Sequence, residues 1–323
     1  LVGSEMCIRD SLNTGTINNI NKLKNFKNFN YDNIDITNQI NNLDFSVDYI
    51  INLACPASPI HYQADPVSTL MTNVAGTHNL LKLSYELKSI FIQASTSEIY
   101  GDPKKNPQKE SYFGNVNSFG PRSCYDEGKR AAESLCYDFI NKYNCDVRIM
   151  RIFNTYGEYM RFDDGRVVSN FINQALKGEN ITIYGDGKQT RSFCYIDDLT
   201  NGIIKLMQTK LNTPVNLGNP VEFNMIKLAE IILRLTGSKS KVCFQDLPTD
   251  DPKQRKPDIS LAKKILNWEP KTSFENYCKD TAPLAPLALV APLAPLALLA
   301  LLAVLTLVAP LSLLAPLAPL ALL

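Results

Sequence analysis

A regular alternation of buried strands and amphipathic helices in the first half of the chain constrains its fold more than any other feature. Short apolar runs at Val47–Ala54, Ser89–Ser95 and Asp146–Phe153 predict three buried strands. A helix that begins at Asp65 and a second helix over Ser123–Tyr143 lie between them. This order and spacing predict a parallel sheet with crossover helices, in which ligands bind beyond the carboxyl ends of the strands.

Beyond Gly157 the pattern becomes mixed. The predicted elements there are helices near 167–177, 197–208, 225–236 and 260–266, and strands near 181–184 and 215–217. We therefore predict an α/β fold class, a Rossmann-like parallel sheet with helices on both faces plus a smaller mixed α/β lobe. The sheet domain would comprise residues 12–157 and also receive about 190–212, and the lobe would comprise mainly residues 158–281.

The two ends of the chain differ in composition from its middle. Residues 1–11 fit no element of the predicted fold, and we expect them to be a non-native leader. All 33 Lys+Arg and 32 Asp+Glu residues precede residue 281, and residues 282–323 form a low-complexity Leu/Ala/Pro tail. The longest proline-free run of this tail, 296–309, is shorter than the ~20 residues of a membrane-spanning helix. We expect the tail to lie outside the fold, with membrane attachment through it as the alternative.

Charge and residue counts argue against several classes of function. The net charge of +1 provides no basic field, so nucleic acid is not an expected partner. Only two histidines, His61 and His78, are present, and no metal site is predicted. The eight cysteines are scattered without a CxxC pair, which indicates reduced thiols and a cytoplasmic protein.

Tyr125 and Lys129 are the first candidates for chemistry. They lie four residues apart on a predicted helix, so their side chains share one face. A neighbouring ammonium group favours the phenolate and would lower the pKa of the phenol from its usual ~10. Such a pair can act as a general base towards a hydroxyl group. Taken alone, the same spacing also fits an ordinary surface helix.

A cluster of hydroxyl groups and a carboxylate follows the second predicted strand. Ser95, Thr96, Ser97 and Glu98 stand where a parallel sheet presents its ligand site. A capped turn would account for the hydroxyl groups, but a carboxylate at a strand end needs a further reason. Together with the Tyr–Lys pair, the cluster predicts an active site at this edge of the sheet.

Eight segments of the chain together resemble one protein family. They are NLACPASPIHYQ (52–63), ASTSEIYGDP (94–103), GPRSCYDEGKRAAE (120–133), RIFNTYG (151–157), DGRVVSNFI (164–172), IYGDGKQTRSFCYIDD (183–198), NLGNP (216–220) and DDPKQRKPD (250–258). In this unbroken order they resemble the UDP-glucuronate decarboxylases, a family of the extended short-chain dehydrogenase/reductase group. The resemblance covers about residues 47–281.

The resemblance implies tightly held NAD, a UDP-sugar substrate and a redox-neutral cycle. Tyr125, assisted by Lys129, would take the proton of the sugar's 4-hydroxyl as hydride passes to NAD⁺, and Thr96 would bind that oxygen. The resulting 4-ketone would promote loss of the carboxylate as CO₂. Ser97 and Glu98 would assist at C5, and Arg191 would bind the carboxylate through paired hydrogen bonds.

The resemblance also implies the binding residues. The cofactor contacts would come from Leu53, Cys55, Asn73, Ser95, Tyr125, Lys129, Thr155 and Arg166, and the substrate contacts from Tyr62, Asn154, Gln189 and Arg255. Arg255 would serve the nucleotide, although a surface ion pair is an alternative for it. Relatives pair through helices like those at 67–88 and 123–143, so the resemblance implies a homodimer.

The family pattern fails at the start of the chain. A dinucleotide-binding domain normally opens with a strand, a glycine-rich loop and a helix. No G-x-x-G-x-x-G loop occurs in the 323 residues, so we expect the first βα unit to be missing and NAD binding to be weak. The segment from Asp10 to Gly15 resembles the family's turn after the second strand, where Asp10 would stand in for the ribose-binding carboxylate.

Two alternatives to a decarboxylase stay open at the level of sequence. A nucleotide-sugar 4,6-dehydratase shares the Tyr–Lys pair and the Thr-x-Glu segment, and it would release water instead of CO₂. A truncated, non-catalytic fragment that binds sugar nucleotides would retain UDP binding without NAD.

Overall fold

A seven-stranded parallel sheet forms the centre of the molecule, seen here in a computed structural model that describes residues 5–38, 40, 46–275 and 320–322. Side by side, the strands are β10 (Pro214–Leu217), β5 (Val147–Ile152), β4 (Ile90–Thr96), β3 (Tyr49–Asn52), β14 (Leu320–Leu322), β1 (Met6–Arg9) and β2 (Phe29–Asp32). Every pairing between neighbours is parallel. The predicted Rossmann-like α/β class is therefore confirmed.

The two terminal segments, residues 1–11 and 282–323, each contribute one strand to this sheet, β1 and β14 respectively. Met6–Arg9 pairs with β2 on one side and with β14 on the other, and β14 pairs in turn with β3. The reason is physical, since a central gap would leave the hydrogen-bonding groups of β1 and β3 unpaired, and a short extended segment satisfies them. Residues 1–4 and 282–319 lie outside the described residues.

Helices cover the sheet and connect its strands. They are α1 (Ile17–Asn21), α2 (Pro59–Ala64), α3 (Pro66–Met71), α4 (Thr77–Leu87), α5 (Ser123–Tyr143), α6 (Val167–Lys177), α7 (Ile196–Met207), α8 (Met225–Thr236) and α9 (Ser260–Leu266). A π-helical turn over Thr72–Gly76 joins α3 to α4, and a 3₁₀ turn over Ser97–Tyr100 follows β4. The Asp65 carboxylate caps α3 by accepting a 3.0 Å hydrogen bond from the Ser68 N–H, as the sequence predicts.

Hydrophobic side chains on the two faces of the sheet form separate cores. On one face, Ile36, Leu80, Phe91, Cys136 and Phe139 pack together beneath α4 and α5. On the other face, α7 and α9 pack on β5 and β10 through a cluster that includes Ile203, Leu206 and Trp268. The chain after residue 196 therefore returns to the sheet.

The smaller lobe contains short strands around its own core. A parallel pair consists of β7 (Ile181–Tyr184) and β12 (Val242–Gln245), and a three-stranded sheet consists of β11 (Glu222–Asn224), β8 (Thr190–Ser192) and β13 (Gln254–Arg255). A further pair, β6 (Thr155–Tyr156) and β9 (Cys194–Tyr195), connects the lobe to the large sheet. Phe171, Ile183, Phe193, Leu228 and Phe274 belong to the lobe's buried core.

Membrane attachment through the Leu/Ala/Pro tail would require a segment that can span a bilayer. Within the described part of the chain, no helix has both the length and the apolar character needed to cross a bilayer. The bulk of the Leu/Ala/Pro tail, on which that alternative depends, is not among the residues described.

Candidate active site

A cavity of about 550 Å³ opens at the carboxyl ends of β3, β4 and β5, between the large sheet and the lobe. This is the edge at which parallel α/β sheets bind ligands. The predicted site residues that line it are Leu53, Cys55, Tyr62, Ser95, Thr96, Glu98, Tyr125, Lys129, Asn154, Thr155, Arg166, Gln189, Arg191 and Arg255. Ser97 and Asn73 are the two predicted site residues that do not line the cavity.

Tyr125 and Lys129 lie one turn apart near the start of α5 and face the tip of β4. The Lys129 Nζ lies 5.8 Å from the centre of the Tyr125 ring and donates a 3.0 Å hydrogen bond to the carbonyl of Ala94. Thr96, two residues further along β4, hydrogen-bonds the Tyr125 hydroxyl. The geometry thus joins the helix pair and the strand-end hydroxyl that the sequence singled out separately.

The electrostatics of this pair differ from the expectation that Lys129 lowers the pKa of Tyr125. Burial raises the pKa of Tyr125, with a further contribution from the neighbouring Cys55, and the hydrogen bond from Thr96 opposes the rise only in part. Burial also lowers the pKa of Lys129. The physical reason is desolvation, because both groups are enclosed and each resists its charged form. Tyr125 is therefore a neutral phenol at neutral pH in the ligand-free protein.

Close packing holds Tyr125 in place from two sides. The Tyr62 ring stacks on the Tyr125 ring, with centroids 5.0 Å apart and an interplanar angle of 7°. On the other side, Gly128 allows α5 to approach Asn73, since an added Cβ would lie 2.9 Å from the Asn73 Nδ2. Asn73 in turn donates a 3.1 Å hydrogen bond to the Cys55 Sγ, so it acts from behind the cavity wall.

The hydroxyl residues after β4 have separate partners. The Thr96 Oγ1 accepts a 3.3 Å hydrogen bond from the Glu98 N–H and so caps the 3₁₀ turn, while its side chain faces Tyr125. Ser95 donates to the Glu133 carboxylate, which also binds Arg151 through two hydrogen bonds of 2.9 and 2.7 Å. Ser97 is buried in the 3₁₀ turn away from the cavity, so its proposed part at C5 lacks support from this geometry.

Glu98 lies between two arginines at the base of the cavity. Its Oε2 is 2.7 Å from the Arg122 Nη2 and 2.6 Å from the Arg255 Nη2, and its Oε1 accepts a second, short hydrogen bond from Arg255. Burial alone would raise the pKa of Glu98, but the charges of Arg255 and Arg122 outweigh it and lower the pKa to about 2. Glu98 is thus a permanent carboxylate and not a proton donor at neutral pH.

Arg255 lines the cavity and binds Glu98 there. It is buried and donates to Glu98 through both of its Nη atoms, so its ion pair does not lie at the surface, and its contact with the nucleotide stays a prediction. The register of the lobe explains the position, because β13 pairs with β8 and sets Arg255 directly beside Arg191. Arg191 donates 2.8 Å hydrogen bonds to the Thr190 carbonyl and to Asp251, and burial lowers its pKa to about 10.

Three further charged residues at this place had no predicted role. Arg122 lies within the motif before Tyr125, Asp126 follows Tyr125, and Asp251 lies in the DDPKQRKPD segment. Arg122 pairs with Glu98 and, at 3.5 Å, with Asp251, and its Nε is 3.9 Å from Asp126. We call Glu98, Arg122, Asp126, Arg191, Asp251 and Arg255 the arginine–carboxylate cluster. The available signal was the i,i+4 spacing of Arg122 and Asp126 on the face of the helix that also presents Tyr125.

Other predicted site residues that line the cavity have hydrogen-bond partners of their own. Arg166 forms a double hydrogen bond with Asp164, at 2.5 and 2.8 Å, and its positive charge faces Tyr125. Thr155 donates to the Phe153 carbonyl, and Gln189 donates to the Tyr184 carbonyl. Leu53 follows β3 and is half exposed at the cavity edge.

The cavity walls fit part of a dinucleotide. Tyr125, Lys129 and Thr96 meet at one enclosed corner, which suits a flat nicotinamide ring beside a sugar. Asp10 ends β1 at the same edge of the sheet, where its carboxylate accepts a 2.7 Å hydrogen bond from the Leu12 N–H. The described residues supply no glycine-rich loop for the pyrophosphate, so no contact is assigned to that part of the cofactor.

The class of protein follows from comparison with a family model. Residues 1–218 match the model of the NAD dependent epimerase/dehydratase family. The chain also resembles the solved structure of UDP-glucuronic acid 4-epimerase from Bacillus cereus, in complex with UDP-glucuronic acid and NAD, with a TM-score of 0.73. That likeness covers 87% of this chain and 99% of the other at 24% identity, and it shows the shared fold.

Two curated relatives indicate a narrower group within this family. UDP-glucuronic acid decarboxylase 3 of Arabidopsis thaliana is 49% identical over 268 residues, which are 83% of this chain and 78% of that protein. UDP-glucuronic acid decarboxylase 4 of the same plant is 54% identical over 227 residues, 70% of this chain and 51% of that protein. The chain therefore belongs to the NAD dependent epimerase/dehydratase family and, within it, to the UDP-glucuronic acid decarboxylases. The resemblance inferred from the motifs is confirmed, although the chain spans only about half of the second relative's length.

Proposed function

We propose that the protein converts UDP-glucuronate to UDP-xylose and CO₂ in an NAD-dependent, redox-neutral reaction through a 4-keto sugar. The observation that carries this proposal is that one cavity is lined both by Tyr125 and Thr96 and by the arginines that pair with Glu98 and Asp251. A sugar ring lying between them would place its 4-hydroxyl at Tyr125 and its carboxylate at the arginines. The names and the identity of the relatives support the same substrate.

The residues of this chain would have two roles, which are proton transfer at C4 and electrostatic binding of the carboxylate. Thr96 and Tyr125 would hold the oxygen on C4 by hydrogen bonds, and Tyr125 would exchange the hydroxyl proton with it. NAD, when bound, supplies the reversible two-electron oxidation of that carbon, and its positively charged ring favours the phenolate. Once C4 is a ketone, the electrons left by departing CO₂ would delocalise into the carbonyl, and C5 would then take up a proton from solvent. Hydride would return to C4 to restore NAD⁺, and Tyr125 would give the proton back to the oxygen on C4.

The arginine–carboxylate cluster would bind the carboxylate of the sugar before it leaves as CO₂. Arg191 presents a guanidinium whose pKa, about 10, still leaves it charged at neutral pH. Glu98 would act by holding Arg255 and Arg122 in position, and not by moving a proton at C5, since its pKa is about 2. A ring of fixed, buried charges of this kind stabilises a bound ion without reorganising.

Incubation of the protein with UDP-glucuronate and NAD tests the proposal by the mass of the product. Loss of CO₂ is expected, and loss of water instead would make the protein a 4,6-dehydratase. Tyr125→Phe removes the hydroxyl that exchanges the proton, and we expect kcat to fall by ~10²- to 10⁴-fold. Tyr137→Phe, at an exposed position on the same helix, is the matched control and should leave kcat unchanged.

We also propose that the protein works as a homodimer through the outward face of α4 and α5. Tyr85 is 53% exposed and Tyr143 is 40% exposed, and their rings meet across the two helices with centroids 5.5 Å apart. A shallow groove beside them is lined by His78, Leu135, Asp138, Phe139, Asn141, Lys142 and Tyr143. An exposed aromatic face of this kind is typical of a surface that a second copy covers.

We also propose that the two parts of the chain bind different ligands and that the protein is cytoplasmic. Residues 12–157, with the return at about 190–212, would hold NAD, and residues 158–281 would mainly hold the UDP-sugar. The scattered cysteines support a cytoplasmic protein, and those in the described residues have free thiols. Cys278 lies outside the described residues.

A further inference from the structure

Three buried polar atoms without a hydrogen-bond partner lie together beside Glu98. They are the Tyr62 hydroxyl, the Arg122 Nε and the Asp126 Oδ1. Tyr62 is 1% exposed, Arg122 7% and Asp126 6%, so water outside the protein does not satisfy them. An unpaired buried polar atom is unfavourable, because it loses its hydrogen bonds to water and gains none in the protein. The presence of three such atoms at one end of the cavity indicates that this region is built for a ligand or for a change of charge.

The groups that face Asp126 come from several elements. Arg122 and Glu127 lie on its own helix or at the helix start, Glu98 lies on the 3₁₀ turn after β4, Arg255 lies on β13, and Tyr62 lies on α2. Burial and the charge of Glu98 raise the pKa of Asp126 to about 8, against the opposing charges of Arg122 and Arg255. The Asp126 carboxyl group is therefore mainly protonated at pH 7.

The protonation of Asp126 sets the net charge of the arginine–carboxylate cluster. Arg122, Arg191 and Arg255 contribute three positive charges. Glu98 and Asp251 contribute two negative charges, so one positive charge is uncompensated while Asp126 is neutral. When Asp126 ionises, the cluster becomes neutral overall. One uncompensated charge at the end of an enclosed cavity matches the single carboxylate of a uronic acid sugar.

We propose that Asp126 is a positioning residue that keeps one guanidinium charge of the cluster available for the carboxylate of the sugar. The inference rests on the proposed function, because it takes UDP-glucuronate as the ligand. Asp126 would act through Arg122, 3.9 Å away, and would not touch the reacting carbon. An ionised Asp126 would instead bind Arg122 itself and compete with the ligand. Discrimination between charged and neutral sugars should then depend on the protonation of Asp126.

The test compares two ligands that differ in charge at one carbon. The dissociation constants of UDP-glucuronate and UDP-glucose are measured by titration calorimetry with the full chain between pH 6.5 and 9.5, with NADH in place of NAD⁺ so that no hydride can be accepted and UDP-glucuronate is not converted. Their ratio cancels pH effects shared by both ligands. For the unaltered protein the preference for UDP-glucuronate should fall on the order of tenfold as the pH rises through about 8, since one full charge is added near the ligand.

Two variants test whether Asp126 causes the fall in the preference for UDP-glucuronate. Asp126→Asn keeps the shape of the side chain but cannot ionise, so its preference for UDP-glucuronate should stay constant from pH 6.5 to pH 9, where Arg191 is still charged. Glu127→Gln is the matched control, since Glu127 is half exposed and pairs at 3.3 Å with Arg130 outside the cavity. It should show a fall of the same size, displaced slightly to lower pH because the charge of Glu127 contributes to the raised pKa of Asp126.

The outcomes separate this inference from the proposed function. If CO₂ is released and both ligands bind, but the preference of the unaltered protein is the same at pH 7 and pH 9.5, the role of Asp126 is wrong and the decarboxylase stands. That comparison requires no variant, so it holds even where Asp126→Asn does not fold. If the fall persists in a folded Asp126→Asn protein, another group causes it and the inference is overturned. If no CO₂ is released, the proposed function fails first.

Discussion

At the scale of single residues, Glu98 is the shared carboxylate partner of two arginines, so the stability of the protein should depend on it. It is enclosed together with Arg122 and Arg255, and its removal would leave two guanidinium groups facing each other without a counter-charge. Loss of one partner from a buried ion pair typically costs about 3–5 kcal/mol. We therefore expect Glu98→Gln to lower the free energy of unfolding by about that amount at pH 7, as measured with urea. Glu275→Gln breaks an exposed pair with Arg234 and should cost at most about 1 kcal/mol.

The same pair predicts a pH dependence with a definite sign. The pKa of Glu98 is lowered from its usual 4.5 to about 2 by folding, so its contribution to stability is present above about pH 4.5. That contribution is lost as the pH falls towards 2. The difference in unfolding free energy between the unaltered protein and Glu98→Gln should accordingly be smaller at pH 3 than at pH 7. An unchanged difference across this range would mean that Glu98 is not held as a carboxylate.

Sequence reasoning singled out residues that the structure brings together in one cavity, but it missed their electrostatics. Tyr125, Lys129 and Thr96 were accessible because each stands at a fixed place relative to a predictable helix or strand. The ion pair between Glu98 and Arg255 could not be predicted, because Arg255 lies 157 residues away and reaches Glu98 only through the pairing of β13 with β8. The sign of the Tyr125 pKa shift was missed for a related reason, since burial is set by tertiary packing and not by spacing.

At the scale of elements, the long and strongly patterned segments were predictable and the short ones were not. The helix expected over Ser123–Tyr143 is α5 with the same bounds, and the strand expected at Ile181–Tyr184 is β7. Strands β6, β9 and β13 have two residues each, too few to show any periodicity, and they form because neighbouring strands offer partners. Strand β13 sets Arg255 beside Arg191 of β8, which explains why the contact between these two parts of the lobe could not be predicted from the sequence.

Helices α4 and α5 also provide the test of the proposed dimer. In a two-fold symmetric interface each residue is present twice, so one introduced charge is felt twice. Tyr143→Glu is expected to convert the dimer to a monomer, as measured by size-exclusion chromatography with light scattering. Phe244→Glu, at an exposed position on β12, is the matched control and should leave the mass unchanged. A monomer in the unaltered protein would contradict the proposal.

At the scale of the whole molecule, the central sheet joins segments from the two ends of the chain. Strand β14 lies between β1 and β3, with Leu320 aligned to Met6 on one side and to Tyr49 on the other. Composition gave no sign of this pairing, because the tail around it repeats Ala, Pro and Leu without a strand period. The sheet nevertheless needs a strand here, since β1 and β3 would otherwise present two unpaired edges inside the protein.

This pairing can be tested through the backbone alone. Ala321 is the middle residue of β14 and is aligned with Cys7 and with Ile50. Ala321→Pro removes its N–H and constrains its backbone, so it should disrupt the ladder of a strand with neighbours on both sides. A loss of roughly 3 kcal/mol or more in unfolding free energy is expected, with a lower midpoint of thermal unfolding measured by circular dichroism. Ala321→Val keeps the N–H and favours a strand, and it should leave the midpoint close to that of the unaltered protein. Equal midpoints for the proline and valine variants would show that the sheet closes without this segment.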